Sequence, residues 1–303
     1  MFKTSRRTFM LGSASLGLTV ALPQTAYAQE MRSVTTQYGT YDIPAAPKRV
    51  VAIDSRLDLQ PALALGLPVI GHGLSEPASW VPNTEGLIFF GGEVNVEQVL
   101  AAEPDLIICA AYNPDSAWWP ANRLRTFAPL VPTDTQVSWK EAFRGLASLL
   151  GMDGAGEAAI AEYEALITDI KTRHAAAIAS KVIVAVQPGD GLFHVMNGSK
   201  MLQPQVLADL GAKTIPPLPD QRYNSDEIPA EAFADTLAGV DGLLVVTDTP
   251  EDLAGLQDNS LWQRLPPVEG GKMLLSNGNI NYGSIYSAMQ VARMLDELYG
   301  MLS

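Results

Sequence analysis

Apolar residues along this chain fall into short unbroken runs, separated by polar, Gly-marked or Pro-marked breaks. Arg49-Val50-Val51-Ala52-Ile53 is one such run, and its lack of polar alternation predicts a strand buried on both faces, as in a parallel sheet. A helix is predicted from about Leu57 to Leu65, with Gly66 just past its end, where a left-handed residue closes helices. Leu67 to Gly71 is a second short strand. Asn95 then opens a helix that stops before Pro104, because the residue ahead of a proline is pushed out of helical geometry. Asp105 to Ala110 reads as another buried strand. Strand, helix and strand alternating at this spacing indicate βαβ units.

The pattern changes from about Gly156 to Ala179, where Pro is absent and good helix formers dominate. Ile160, Tyr163, Leu166, Ile167 and Ile170 form the stripe of an amphipathic helix. At about 1.5 Å per residue such a helix is about 36 Å long, enough to cross a domain. The first pattern then restarts. Lys181 to Val186 is a strand, Met201 to Leu210 a helix closed by Gly211, Pro229 to Thr236 a helix, Gly242 to Thr247 a strand, Lys272 to Leu275 a strand, and Ser284 to Tyr299 a last helix ended by Gly300. Two phrases nearly repeat: Asn95-Val96-Glu97 leads through Pro104-Asp105 to Leu106-Ile107-Ile108, and Pro229-Ala230-Glu231 leads through Val240-Asp241 to Leu243-Leu244-Val245. The predicted fold class is therefore α/β, with two Rossmann-like lobes joined by one long helix. The expected divisions are 29–152 for the first lobe, 153–179 for the linker helix and 180–303 for the second lobe.

Residues 1–28 read as an address. Ser5-Arg6-Arg7-Thr8-Phe9-Met10 is a twin-arginine run, followed by a short apolar stretch from Leu11 to Leu22 and an A-x-A site at Ala26-Tyr27-Ala28. The apolar stretch falls short of the roughly 20 residues that span a bilayer. Cleavage near Ala28 and a mature protein free in the periplasm are expected. The lone cysteine, Cys109, is far from the cleavage site, so no lipid anchor is expected.

Composition narrows the chemistry. The chain has 33 Asp and Glu against 20 Lys and Arg, a net charge of −13 that argues against nucleic-acid binding. A single cysteine excludes an internal disulfide and a Cys-x-x-Cys site. No Gly-x-Ser-x-Gly elbow or Walker loop occurs, so an exported hydrolase is disfavoured and no enzyme activity or cofactor is expected. His72, His174 and His194 lie far apart; a bare-metal site needs them to converge with carboxylates.

Aromatic and amide residues instead cluster after predicted strand ends, where ligands bind in open α/β sheets. Tyr112, Trp118 and Trp119 follow one strand, and Asn277 to Gly283, with Asn281 and Tyr282, follow another. Arg222 and Tyr223 form a third group, Trp80 lies in a first-lobe loop, and Arg56 follows the first strand. Such faces suit a bulky ligand with polar edges.

Pro47-Lys48-Arg49-Val50-Val51-Ala52 and Leu63-Ala64-Leu65-Gly66-Leu67-Pro68-Val69-Ile70-Gly71 together resemble the opening of periplasmic binding proteins of the iron–siderophore and cobalamin class. Asn95-Val96-Glu97 through Glu103-Pro104-Asp105-Leu106-Ile107 is similar to that family's NxE…PDLI segment. Leu261-Trp262 and Tyr282-Gly283-Ser284 with Ser287-Ala288-Met289 are similar to its ferric-hydroxamate branch. The resemblance spans residues 47–300. It implies a shallow cleft between lobes, little hinge closure, capture of a ferric siderophore of hydroxamate type and delivery to an inner-membrane ABC permease. A bare metal ion, haem or cobalamin is the alternative ligand. Tyr112, Tyr223 and Tyr282 take the places of cleft aromatics, and Glu97 and Glu231 those of the carboxylates that meet the transporter. The hydroxamate branch has an arginine just before the Asn-x-Glu segment, where this chain has Gly91-Gly92; Arg222 or Arg56 is the candidate replacement. A monomer is expected.

Overall fold

Unbroken apolar runs become central strands because both of their faces are covered by helices. A computed structural model describes residues 30–189, 192–218, 225–247, 256, 259–276 and 278–303. The first lobe is a parallel sheet of β3 (Val50–Asp54), β4 (Val69–Gly73), β5 (Ile88–Phe89), β6 (Leu106–Ala110) and β7 (Leu130–Thr133), in the order β5-β4-β3-β6-β7. It is preceded by an antiparallel hairpin of β1 (Met31–Thr36) and β2 (Gly39–Pro44). Side chains alternate across the sheet. Val50, Ala52, Leu106 and Ile108 pack with Leu59 of α1 (Leu59–Ala64) and with Phe143 and Leu146 of α4 (Trp139–Leu149). Val51, Ile53, Ile107 and Cys109 pack on the other face with Val99 of α2 (Val96–Ala101) and Leu124 of α3 (Ala121–Leu124).

α5 (Asp153–Arg173) carries the chain between lobes. Its Ile160 belongs to the first lobe's core, and its Tyr163, Ile167 and Ile170 to the second's. Gly156 permits close approach to α4, since a Cβ there would stand 2.8 Å from the Ala147 Cβ. The predicted helix to Ala179 is broken at His174, whose φ of −115° and ψ of 24° leave helical geometry while its Nε2 lies 2.8 Å from Asp296 Oδ1. A short α6 (Ala175–Ser180) follows.

The second lobe orders its strands β10-β9-β8-β11-β12. β8 (Ile183–Gly189), β11 (Gly242–Val245) and β12 (Met273–Leu275) are parallel, while β9 (Leu192–Val195) and β10 (Asp226–Pro229) are antiparallel additions. α7 (Leu202–Leu210), ended by Gly211 in the left-handed region, and α11 (Ile285–Leu302) cover one face. α8 (Phe233–Thr236) and α9 (Ser260–Gln263) cover the other, where Phe193, Phe233 and Trp262 stack. A further short helix, α10 (Pro266–Glu269), leads into β12.

Three further readings of local structure change. The lead-in before Arg49 is a hairpin, turned at Gly39 with φ of +109°. Residues 229–236 are the end of β10, a 3-10 turn at Ala230–Ala232 and the four-residue α8. α11 runs through Gly300 to Leu302, because Leu302 packs onto Gly242, where a Cβ would stand 3.1 Å from Leu302 Cδ1. No helix of the described residues is long and apolar enough to cross a membrane.

Several hydrogen bonds tie the lobes. Gln60 of α1 is buried; its Oε1 accepts from the Ser284 and Ser287 backbone N–H groups at 3.2 and 3.0 Å, and its Nε2 donates to Ser287 Oγ at 2.8 Å. Lys140 of α4 pairs with Asp209 of α7 at 2.6 Å, and Tyr163 of α5 donates to the same carboxylate at 2.7 Å. Gln60→Ala leaves buried N–H groups at the start of α11 unsatisfied and is expected to lower the unfolding free energy by about 2 kcal/mol. A urea midpoint shifted at constant slope would register it, and an unchanged midpoint would show that the amide ties nothing.

Candidate functional site

The cleft lies where β3, β6 and β7 end and the second lobe faces them. Its walls include Leu57, Tyr112 and Gln136 from the first lobe and Lys200, Gln205 and Tyr282 from the second. It encloses about 180 Å³, below the roughly 300–1,000 Å³ of pockets that swallow a small molecule. A larger ligand would therefore keep part of its surface in water.

The site is organised by the last residue of β3. Asp54 is wholly buried, and its Oδ1 accepts the backbone N–H groups of Arg56 at 2.8 Å and Leu57 at 3.0 Å. This closes the turn into α1 and sets Arg56 against the cleft-wall residue Tyr282, its Nε 3.6 Å from Asp54 Oδ1 and its guanidinium carbon 5.9 Å from the centre of the Tyr282 ring. A cation over an aromatic face at that range is attractive. The other oxygen of Asp54 accepts from Trp119 Nε1 at 3.1 Å, and the Trp119 ring lies 4.7 Å from that of Tyr112. One carboxylate thus holds a guanidinium on one side and an aromatic pair on the other. Burial, and next the neighbouring Tyr282 and Asp54, push the Tyr112 hydroxyl up to about 12, against the pull of Arg56. It is a neutral phenol that both donates and accepts.

The structure brings Tyr112, Tyr282 and Arg56 together. Trp80 is occupied elsewhere: its Nε1 donates to Ser287 Oγ at 3.2 Å, and its ring covers Gly278, where a Cβ would stand 2.9 Å from Trp80 Cη2. It serves the seam between lobes. Trp118 is exposed while its neighbour Trp119 turns inward. Asn281 is buried inside the second lobe, where its Nδ2 donates to Gln187 Oε1 at 2.7 Å and its Oδ1 accepts from Gln203 at 2.8 Å, so its amide is satisfied away from the cleft. Arg222 and Tyr223 lie outside the described residues. Glu97, in the first turn of α2 behind its Asn95 cap, and Glu231, in the 3-10 turn before α8, are both exposed.

Gly91 adopts φ of +97°, and a Cβ there would stand 2.7 Å from the Glu93 carbonyl oxygen. At Gly92, by contrast, a Cβ would meet nothing closer than the Leu74 carbonyl oxygen at 3.5 Å, so only the first of the two glycines resists a side chain. Sequence reasoning passed over Asp54, Gln136 and Lys200. The signal available for Asp54 was an acid closing the apolar run Val50–Ile53 and repeated four residues on at Asp58. Gln136 and Lys200 meet across the cleft at 2.6 Å, a pairing that only the placement of the lobes creates. The histidines stay separate: His72 is buried on β4, His174 bonds Asp296, and His194 lies on β9. Among the described residues no group of three or more His, Cys, Asp or Glu side chains is placed to hold a metal ion.

A cleft between two α/β lobes that are bridged by a single long helix, with the rings of Tyr112 and Tyr282 in its walls and Arg56 against one of them, is the arrangement of a two-lobed solute-binding protein. The sequence profile of the periplasmic binding protein family matches residues 90–275, and the chain belongs to that family. The iron(3+)-hydroxamate-binding protein FhuD of Escherichia coli (strain K12) is 25% identical over 269 residues, covering 84% of this chain and 88% of that protein. Two solved structures share the fold. A periplasmic solute binding protein from Mycobacterium smegmatis superposes with a TM-score of 0.73 at 18% identity, over 89% of this chain and 98% of that one. The Fe3+-Desferal-bound siderophore binding protein FhuD from Vibrio cholerae does so with a TM-score of 0.69 at 20% identity, over 84% and 98%. The family is one of binding proteins rather than enzymes.

Because Tyr112 is held neutral, tyrosinate absorbance of the wild type and of Tyr112→Phe should superimpose up to pH 11. A difference emerging near pH 10 would place the phenol in free solvent.

Proposed function

We propose that this protein captures a ferric siderophore, with the hydroxamate type favoured, and delivers it to an inner-membrane ABC importer. The observation that carries this reading is Arg56 set against Tyr282, with Tyr112 close enough to both to feel their charge, where the strands end. Hydroxamate oxygens on ferric iron carry negative charge. A guanidinium meets them with a planar fork of donors, and a neutral phenol adds another hydrogen bond. The rings of Tyr112, Trp119 and Tyr282 cover the organic part of the ligand. Binding is non-covalent, and the iron is cargo. The ligand named for the Escherichia coli and Vibrio cholerae relatives supports the hydroxamate assignment. Arg56 takes the part that an arginine near Gly91-Gly92 plays in the resemblance.

Glu97 and Glu231 are read as the docking carboxylates, one on each lobe and both exposed. Residues 1–28 are read as a twin-arginine export signal cleaved near Ala28, releasing a periplasmic monomer. The described cleft walls all come from one chain, which supports reading it as a monomer.

Ferric Desferal should quench tryptophan fluorescence on binding, because Trp119 lies beside Tyr112. Arg56→Gln should weaken that binding about tenfold or more, since hydrogen bonds from a charged donor are worth about 1.5–3 kcal/mol. No response to ferric hydroxamate, catecholate, citrate, haem or cobalamin would sink the reading. Replacing Glu97 and Glu231 together with Ala should abolish uptake by cells while leaving affinity unchanged; lost affinity would place them at the ligand instead.

A further inference from the structure

We propose that Asp54 is the positioning residue of the cleft, and that Asp58 beneath it holds a proton whose release weakens ligand binding. The proposal rests on the reading above only in that the ligand presents negatively charged oxygens to Arg56.

The geometry starts with Asp54. Its hydrogen-bond partners are the N–H groups of Arg56, Leu57 and Trp119, which engage both of its oxygens. Asp58 lies four residues on and is also wholly buried. Its Oδ2 accepts the backbone N–H groups of Asp54 at 2.8 Å and Ala110 at 2.9 Å, tying the β3 turn to the end of β6, two residues before Tyr112. Its Oδ1 is enclosed beside the buried Thr133 hydroxyl on β7, which stands close enough to favour the charged form but outside hydrogen-bond geometry, and neither atom has another partner. A proton on Asp58 lets Oδ1 donate toward that hydroxyl and removes a second negative charge from next to Asp54. Burial first, and then the charge of Asp54, push Asp58 up to about 7.

The ionisable groups around this pair come from several elements. Arg56 approaches from the β3 turn, Cys109 from β6, Tyr112 from the loop after β6, and Tyr282 reaches Tyr112 and Arg56 from the second lobe. Of these, Arg56 is the cation. With Asp58 protonated, one carboxylate stands under one guanidinium, and the ligand's oxygens feel the unbalanced donor ends. With Asp58 ionised, a second negative charge stands beside Asp54 and is felt at Tyr112 on the cleft wall. Affinity for a negatively charged ligand surface therefore falls as pH rises through neutrality. By reciprocity the bound ligand strengthens the hold on the proton, so binding takes up protons.

Ferric Desferal, titrated by tryptophan fluorescence between pH 5.5 and 8.5, should bind the wild type about five- to tenfold more weakly at the upper end. Asp58→Asn mimics the protonated acid and should give a flat profile near the wild type's acidic value. Asp54→Asn, which turns an acceptor into a donor against donors, should weaken binding throughout the range. Calorimetry of the wild type near pH 7 in two buffers of different ionisation enthalpy should show proton uptake, which requires no variant. Flat wild-type affinity with no proton uptake, or an Asp58→Asn profile as steep as the wild type's, would overturn the proposal. A ligand-free control follows from the same group. Its folded-state value lies above the unfolded carboxyl value, so the folded form binds the extra proton and the wild type loses stability relative to Asp58→Asn as pH rises from about 4 to about 7. Parallel stability profiles would remove the proton site. A stability difference in a protein that binds no ferric Desferal at any pH would keep the proton site and remove the hydroxamate reading.

Discussion

The amide of Gln60 is the contact on which the remaining geometry turns. A helix begins with N–H groups that its own turns cannot satisfy, and Ser284 makes no side-chain cap for α11. The missing acceptor comes from the other lobe, as Gln60 Oε1, while Gln60 Nε2 holds Ser287 Oγ. Trp80 donates to that same hydroxyl, so two first-lobe side chains converge on one turn of the second lobe. Tyr282 sits two residues ahead of this cap, and Arg56 four residues ahead of Gln60. Sliding one lobe against the other would break the cap and part the guanidinium from the ring. Lobe placement and ligand geometry are consequences of the same few atoms.

A second strut makes the arrangement stiff. Lys140, Tyr163 and Asp209 join α4, α5 and α7, so the first lobe, the linker and the second lobe meet at one carboxylate. Two ties at separate points resist both hinge and shear motion. Groups held in place before the ligand arrives lower the ordering cost of binding. Asp54 has that role at the floor. A buried carboxylate is expensive unless donors surround it, and here the donors are the turn and the indole whose positions matter.

What could be read in the residues follows from how each was buried. β3, β6, β8 and β11 are covered on both faces, so they appear as unbroken apolar runs, and α5 declares itself by its stripe of Ile160, Tyr163 and Ile170. α4 was missed although Ser138-x-x-Glu141 is a capping box, present in the structure in both directions. The β1–β2 hairpin has only one half-covered side and offers little pattern. Gly300 is read as a stop by local rules, yet tertiary burial of Leu302 on Gly242 carries the helix past it. At the site, Tyr112, Tyr282 and Arg56 were legible because each follows a strand end. Asn281 looked equivalent, but its amide answers Gln187 and Gln203 inside the lobe. Which polar side chain faces the ligand and which faces its own core depends on partners distant in sequence.

The change at Gly91 links these strands of reasoning. At Gly91 itself an arginine would stand on a backbone that turns left-handed, with a Cβ crowding the Glu93 carbonyl. The described cation beside the cleft rings is Arg56, at the β3 turn, where a buried carboxylate already fixes the backbone. That relocation carries a physical consequence. A guanidinium on an outer loop acts on a ligand with its full charge, whereas one seated over Asp54 acts with the difference between its charge and what lies below. The pull on the ligand then depends on how many negative charges the floor carries, and Asp58, enclosed beside Asp54, decides between one and two.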